Sequence, residues 1–169
     1  MKKATAIFLC FLLTLGMTST FAAENTELLQ NGSFEAYADN LPEGWTAPVG
    51  TPGKDIEIAD EAKDGKASVR LFGKSDNAYI QQEIEGLRNG AKYTLSFYVL
   101  RESGDNITSR IEFVYTENGS RKYLSENALI TTLEETETGK WVQKEIEFTV
   151  PPKVEKTVLA FRKVGSADV

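Results

Sequence analysis

Apolar residues recur at every second position through much of the chain. Alternation with a period of two is the pattern of a β-strand that buries one face and leaves the other exposed to solvent. The pattern therefore predicts a chain built of strands, each with one apolar face. The clearest sets are Val69 and Leu71, then Ile80 and Ile84, then Tyr93, Leu95, Phe97 and Val99, and then Ile111, Phe113 and Tyr115.

Turn-forming residues separate these segments at intervals of roughly eight to fifteen residues. Punctuation of this kind is typical of short strands. No segment longer than about ten residues keeps a helical period, although residues 132–138 fit either one helical turn or a loop. The turn signals are Asn31-Gly32, Asp39-Asn40, Pro52-Gly53, Asp64-Gly65, Asn89-Gly90, Ser103-Gly104-Asp105, Asn118-Gly119, Thr138-Gly139 and Pro151-Pro152.

The strongest local prediction is a β-hairpin. Its strands would be Ser109–Glu117 and Ser120–Ser125, joined by Asn118-Gly119, because Asn-Gly readily adopts the two positive φ angles of a tight turn. Strands of this length, repeated along the chain without helices, predict an all-β fold. We expect a sandwich of two antiparallel sheets.

The N-terminus has the layout of a secretory signal peptide. Lys2 and Lys3 precede an uncharged, largely apolar run that is too short to span a bilayer comfortably, and Thr20 and Ala22 are small residues at the expected cleavage site. We predict a signal peptide at residues 1–22 and one domain at residues 23–169. A lipid anchor on Cys10 is disfavoured, because the preceding residue is a leucine.

Composition removes several classes of chemistry. The chain has no histidine, which excludes Ser-His-Asp and Cys-His catalysis within it, as well as histidine metal sites. Loss of the leader would take away the single cysteine and change the formal net charge from −6 to −8. A chain of this charge is a poor partner for nucleic acid, and we expect none to bind.

Ordered motifs along the chain resemble carbohydrate-binding modules of families four, nine, sixteen and twenty-two. This resemblance covers nearly all of the predicted mature chain. It implies a β-sandwich of the jelly-roll type that binds polysaccharide without cleaving it. The motifs are LLQNGSFE at residues 28–35, LPEGW at 41–45, KDGKASVRL at 63–71, NGAKYTLSF at 89–97, GKW at 139–141 and FTVP at 148–151.

The end of the chain departs from that pattern. Such modules close with a strand that bears an aromatic residue and paired aspartates, whereas this sequence stops at Ser166-Ala167-Asp168-Val169. We therefore expect the final strand to be missing from the sequence shown.

The aromatic residues divide into framework and binding candidates. Trp45 and Trp141 match framework positions of the resembled modules, so we expect core packing there. Polar and aromatic residues on registers opposite the core are the better candidates for sugar contacts, because aromatic rings stack on sugars and amide, guanidinium and carboxylate groups bond to hydroxyls. The same residues would also fit an ordinary solvated sheet face. We expect the candidates to lie on one sheet face, and they are Tyr79, Gln81, Tyr98, Arg110, Glu112 and Tyr123.

The resemblance also implies a structural Ca²⁺ site. Its ligands would be the Glu35 carboxylate, with oxygens near Ser33 and around Asp64 to Lys66. Calcium takes six to eight oxygen ligands, so this set is incomplete, and Asp168 is an uncertain substitute for the absent closing aspartate. The alternative is that Glu35 is an exposed strand residue.

Together these features predict a secreted, monomeric module without a membrane span, which binds a polysaccharide or oligosaccharide. Two other functions stay open. The first is a glycoside hydrolase, or a fragment of one, using paired carboxylates. The second is a non-catalytic adhesion or assembly module that has kept the fold.

Overall fold

The period-two segments form strands. The computed structural model describes residues 5–8, 27–72, 78–102, 106–117, 120–123, 131–132 and 137–164. In chain order the strands are β1 (Thr5–Phe8), β2 (Tyr37–Ala38), β3 (Leu41–Pro42), β4 (Thr46–Val49), β5 (Ile56–Ala59), β6 (Ser68–Leu71), β7 (Tyr79–Ile84), β8 (Lys92–Leu100), β9 (Asn106–Glu117), β10 (Ser120–Tyr123), β11 (Thr131–Thr132), β12 (Trp141–Thr149) and β13 (Lys156–Val164).

These strands make two main antiparallel sheets. The first has the order β12-β8-β1-β6-β5, and the second has the order β10-β9-β13-β7-β4 with β11 paired to β9. A small hairpin of β2 and β3 stands apart from both. No α-helix occurs among the described residues, and so none of them forms a helix that could cross a membrane. The predicted all-β sandwich is confirmed.

The core lies between the two sheets, and four of its described aromatic rings are in contact with one another in series. Trp45 is 4% exposed and meets Phe34 edge to face, with ring centroids 5.3 Å apart. Phe161 lies 6.1 Å from Trp45 and 5.1 Å from Phe97, so it joins the second sheet to the first. The framework role predicted for Trp45 is confirmed.

The opening motif is fastened to the second sheet by one buried amide. Gln82 on β7 accepts a hydrogen bond from the Gln30 backbone N–H at 2.8 Å. Its side-chain nitrogen donates to the backbone oxygens of Gln30 at 2.8 Å and Gly44 at 3.1 Å. The Gln82 side chain therefore supplies hydrogen-bond partners to backbone groups of Gln30 and Gly44, which lie outside the strands.

The predicted hairpin is present as β9 and β10. Ser120 pairs with Glu117 and Tyr123 pairs with Val114, which leaves two residues between the strands. The strands differ in length from the prediction, because β9 begins at Asn106 and β10 ends at Tyr123. The helical turn or loop expected at residues 132–138 lies largely outside the described residues.

Strand β1 comes from the apolar run near the N-terminus. It lies between β6 and β8, and Ile7 pairs with Val69 on one side and Val99 on the other. The full chain thus fills an internal position of the first sheet with residues that fall within the predicted signal peptide. Cleavage of that segment stays a prediction.

Candidate functional site

The strand register of the second sheet gathers most of the predicted sugar-binding residues on its solvent side. On β7, Ile80, Gln82 and Ile84 are buried, so the alternating residues Tyr79, Gln81 and Glu83 face away from the core. Directly paired residues of antiparallel strands share a face. We call the solvent side of β4, β7, β13, β9 and β10 the outer face.

Neighbouring strands extend the outer face on both sides of β7. On β4, Val49 pairs with Tyr79 and Thr46 pairs with Gln81, whose backbone oxygen accepts a 3.3 Å hydrogen bond from the Thr46 hydroxyl. On β13, Arg162 pairs with Tyr79 and Ala160 pairs with Gln81. The outer face therefore sets a tyrosine ring between an aliphatic and a guanidinium side chain.

Three predicted residues fall on strands whose side chains lie outside the described part of the structure. By backbone register, Arg110 pairs with Ala160 and Glu112 pairs with Val158. Tyr123 on β10 pairs with Val114, which itself pairs with Lys156. Arg110 and Glu112 thus continue the rows that run through Gln81 and Glu83, and Tyr123 lies in the row of Lys156, two residues along β13 from Val158.

The middle of the outer face has small side chains and a paired charge. Val158 and Ala160 are 7% and 6% exposed, although their register places them on the outer side. Glu83 forms an ion pair with Lys156. Among the described side chains of the outer face, Glu83 is the only carboxylate, so a pair of acids for glycoside hydrolysis is not assembled from them.

Tyr98 does not share this face. It lies on β8, in the first sheet, and its register partner is Gln143 of β12. The Tyr98 hydroxyl and the Gln143 side-chain oxygen are 3.2 Å apart, and the Gln143 nitrogen donates to the Ser96 hydroxyl at 3.1 Å. The expectation that Tyr98 lines the same sheet face as Tyr79 is wrong, because β7 and β8 belong to opposite sheets.

Trp141 also departs from its expected place. It is half-buried at the start of β12, pairs with Leu100, and is not part of the hydrophobic core cluster. Its position alternates with the core residues Ile146 and Phe148, on the same side of the strand as Gln143. The expectation that Trp141 packs in the core is therefore wrong.

The residues of the implied calcium site come together, but through protein hydrogen bonds. One carboxylate oxygen of Glu35 accepts bonds from the backbone N–H groups of Lys66 at 2.7 Å and Ala67 at 3.1 Å. Asp64 accepts from the Gly65 N–H at 2.9 Å, while Ser33 is exposed in the preceding turn.

This donor set does not make a complete calcium cage. No group of three or more Asp, Glu, His or Cys side chains that could hold a metal occurs among the described residues. Calcium needs six to eight oxygens, and one Glu35 oxygen is already bonded to two amides. We call the two hydrogen bonds from Lys66 and Ala67 to Glu35 the Glu35 clasp. Gly65 allows the clasp to form, because its φ is +73° and a Cβ there would collide with the Glu35 carboxylate.

Sequence reasoning missed two residues of the outer face. Arg162 follows the buried run 157–161 and precedes a fully buried lysine, Lys163, so the local pattern gave no clear alternation. Val49 is 37% exposed beside a proline and a glycine, where no period can be read. Arg162 could have been found by taking the apolar residues Leu159 and Phe161 as the core side of the strand, since strict alternation then places Arg162 on the solvent side.

The comparisons with known proteins agree with this architecture. A family model described as a carbohydrate binding domain matches residues 26–166, which is most of the chain. No curated protein sequence matches it significantly.

Solved structures share the fold at low sequence identity. The enzymatically active domain of tailspike protein 4 from bacteriophage CBA120 is similar with a TM-score of 0.62 and 16% identity, over 81% of this chain and 19% of that one. TmCBM61, solved with β-1,4-galactotriose, is similar with a TM-score of 0.52 and 18% identity, over 84% of this chain and 90% of that one.

A third similar structure holds the CBM22-1 and GH10 modules of Clostridium thermocellum endo-1,4-β-D-xylanase 10B, complexed with xylohexaose. The TM-score is 0.54 at 14% identity, over 73% of this chain and 24% of that one. The chain thus spans about a fifth of the tailspike chain and a quarter of the xylanase chain. The solved structures share the β-sandwich fold, and the match over residues 26–166 shows that the chain belongs to the carbohydrate binding domain family, whose role is to bind carbohydrate.

Proposed function

We propose that the outer face of the second sheet binds a polysaccharide chain, which lies across the strands from β4 to β10. The observation that carries this proposal is the register that aligns Val49, Tyr79 and Arg162 in one row. Five strands at a spacing of about 4.8 Å make a face about 19 Å wide. A face of this width suits an extended chain better than a single sugar.

The chemistry of the outer face supports a neutral polyhydroxylated ligand. The Tyr79 ring offers an apolar surface for the C–H face of a pyranose, next to the aliphatic Val49. Gln81 carries both a donor and an acceptor, and the Arg162 guanidinium donates in a fixed fork that fits neighbouring hydroxyls. Val158 and Ala160 leave a low floor between these groups.

We place any catalytic activity outside this domain. Glu83 is held by Lys156, and hydrolysis would require a second, suitably spaced acid. An assay of reducing-sugar release from xylan and β-glucan tests this point. Sustained release by the purified chain would favour the hydrolase alternative, whereas retention by neither polysaccharide would favour an adhesion or assembly module.

The proposed role further includes export. The charged start and apolar run at residues 1–22 support secretion, and a secreted module of this family would carry its parent protein to polysaccharide outside the cell. We propose a monomer, since one outer face would suffice for this task. Sequencing the N-terminus of the exported protein tests cleavage after Ala22.

The outer face is tested with Tyr79→Ala. We expect this variant to bind soluble glycan about tenfold more weakly or worse, because stacking on an aromatic ring contributes roughly 1–3 kcal/mol, by analogy with base stacking. The melting temperature should change little, since Tyr79 is only half-buried. The measurement is affinity electrophoresis in xylan and β-glucan gels, paired with thermal melts.

Tyr79→Phe is the matched control, because it keeps the ring and should keep most of the affinity. The register argument extends the test to Tyr123→Ala and Arg162→Ala, for which we expect weaker binding as well. Parent-like binding by Tyr79→Ala, in a gel that retards the parent protein, would contradict the proposal.

A further inference from the structure

A cleft lies on the other side of the molecule from the outer face, between the β2-β3 hairpin and the edge of the first sheet. The hairpin turns at Asp39 and Asn40, whose φ angles of 50° and 62° form a tight two-residue turn. Between the hairpin and strands β5 and β6 is a cleft of about 560 Å³. Small-molecule sites have volumes of this size.

An exposed aromatic ring stands beside this cleft. Tyr37 is 51% exposed and, with Val49, is one of two large apolar side chains in the described part of the chain that are so open to solvent. Ala38, Ile58 and Ala59 supply further apolar surface in the lining. The cleft thus combines a ring that can stack with a partly apolar wall.

The floor of the cleft contains a fixed ion cluster. Arg70 on β6 bonds to Glu57 on β5 at 3.0 Å and to Glu102 at 2.6 Å. Burial alone would lower the Arg70 pKa, but hydrogen bonds to and the negative charges of Glu102 and Glu57 outweigh burial and raise it. The guanidinium is therefore held charged and oriented, with its planar fork fixed.

The remaining lining groups restrict the kind of ligand. Asp39 and Asp60 would repel an anion, and Lys66 with Arg70 would repel a cation. The described carboxylates do not form a group of three that could hold a metal. Acceptors and donors side by side, with an aromatic ring next to them, fit a neutral molecule that carries several hydroxyl groups.

We propose that this cleft is a second carbohydrate site, which takes one or two sugar units of a neutral glycan between Tyr37 and the carboxylates of Asp39 and Asp60. It shares no residue with the outer face and does not depend on that proposal. Glu57 and Arg70 lie on the solvent side of the first sheet, because they alternate with the buried residues Ile56, Val69 and Leu71, so the two sites lie on opposite sides of the sandwich. One molecule would then engage two glycan chains, which strengthens attachment to a network by raising the effective concentration at the second site.

The test is an NMR titration of the ¹⁵N-labelled full chain with cellotriose, xylotriose and β-1,4-galactotriose. We expect at least one trisaccharide to shift the amides of residues 37–40 and 57–60. Tyr79→Ala should leave these shifts in place. Tyr37→Ala should weaken binding at these amides about tenfold, Asp60→Asn should weaken it as well, and Tyr37→Phe should retain it.

Four results would overturn the second site, and the first three concern the cleft itself. The first is that none of the three sugars shifts the amides of residues 37–40 and 57–60. The second is that Tyr37→Ala binds sugar at these amides with the same affinity as the parent protein. The third is that inorganic phosphate or CaCl₂ shifts these amides more than any sugar does. Loss of the cleft shifts in Tyr79→Ala would also overturn it, by reducing the two sites to one. If only the proposal for the outer face is wrong, Tyr79→Ala will bind polysaccharide like the parent protein, and sugars will still shift the amides of the cleft.

Discussion

At the scale of single residues, the Trp45 ring joins the opening motif to the second sheet. It packs against Phe34 and Phe161 and is almost fully buried. We expect Trp45→Ala to lower the free energy of unfolding by about 3–5 kcal/mol, because it leaves a large cavity in the core. Urea titration followed by circular dichroism measures this loss.

Trp45→Phe is the informative companion to that variant. No described residue accepts a hydrogen bond from the buried Trp45 indole N–H, so a phenyl ring removes an unsatisfied donor together with some packing. We expect it to cost clearly less than Trp45→Ala. If a folded Trp45 variant loses glycan binding while Tyr79→Ala keeps it, the assignment of framework and sugar platform is reversed.

Substitution of Glu35 distinguishes two explanations for the contacts between the opening motif and residues 64–67. As a clasp for the N–H groups of Lys66 and Ala67, it should stabilise the domain with or without metal. As a calcium ligand, it should make the melting temperature rise with Ca²⁺, since a ligand that binds only the folded state adds stability. The structure shows the clasp, and calcium stays a prediction.

The measurement is a set of four thermal melts. We expect Glu35→Gln to lose about 1–2 kcal/mol in EDTA, because charge-assisted bonds to two amides are weakened. If calcium binds here, the parent protein melts higher in CaCl₂ than in EDTA and Glu35→Gln does not. Equal melts of the parent in both buffers would remove Ser33, Glu35, Asp64 and Lys66 as metal ligands.

Residue-level prediction from sequence succeeded where alternation was clean. Tyr79 and Gln81 could be placed opposite Ile80 because β7 alternates strictly. Arg162 and Lys163 could not be told apart, since two adjacent cations hide which one faces the core. The structure buries Lys163 and places Arg162 on the outer face, an outcome that depends on contacts from other strands.

At the scale of elements, adjacent glutamines on β7 have different tasks. Gln82 faces inward and bonds to the backbone of Gln30 and Gly44, whereas Gln81 faces outward. Gln82→Leu keeps the volume but leaves those buried backbone groups without a partner, so we expect a loss of about 2–3 kcal/mol. Gln81→Leu should change stability by less than about 0.5 kcal/mol.

Chemical denaturation of the two variants provides the comparison. Similar stabilities for Gln81→Leu and Gln82→Leu would show that the opening segment is held by something other than the Gln82 amide. Hydrogen exchange at the Gln30 amide gives a local readout, and we expect faster exchange in Gln82→Leu only.

Pairing between elements was predictable only where the turn itself was informative. The β9-β10 hairpin followed from Asn118-Gly119, since two-residue turns of that type fix the register of both strands. The step from β7 to β8 crosses between sheets, and no local pattern encodes that crossing. Alternation shows which residues of β8 lie on the same side of the strand, but it does not show which sheet β8 joins. Tyr98 was therefore assigned to the wrong sheet.

At the scale of the whole molecule, the two sheets present different surfaces. The second sheet carries the broad outer face, and the first carries the cleft beside Tyr37 with the Arg70 ion cluster. The fold accommodates both because a sandwich buries only one side of each sheet. If both proposed sites bind glycan, one domain would hold ligands on opposite sides of a single core.

The first sheet also depends on the segment that export would remove. Strand β1 is internal, and its backbone pairs with both β6 and β8. A chain that begins at Ala23 loses this strand, which leaves unpaired edges on β6 and β8 where Ile7 had faced Val69 and Val99. Unpaired internal edges are costly and recruit other strands.

We therefore expect the chain of residues 23–169 to melt at a lower temperature than the chain of residues 1–169, and to exchange the amide protons of Val69 and Val99 faster. A synthetic peptide spanning residues 2–11, added in excess, should restore part of the lost protection by occupying the gap between β6 and β8. A scrambled peptide of the same composition is the control, because it matches the hydrophobicity but not the register. Equal melting temperatures and equal exchange for the two chains would mean that β6 and β8 close on each other or recruit another strand of the same chain, and that β1 is dispensable to the folded domain.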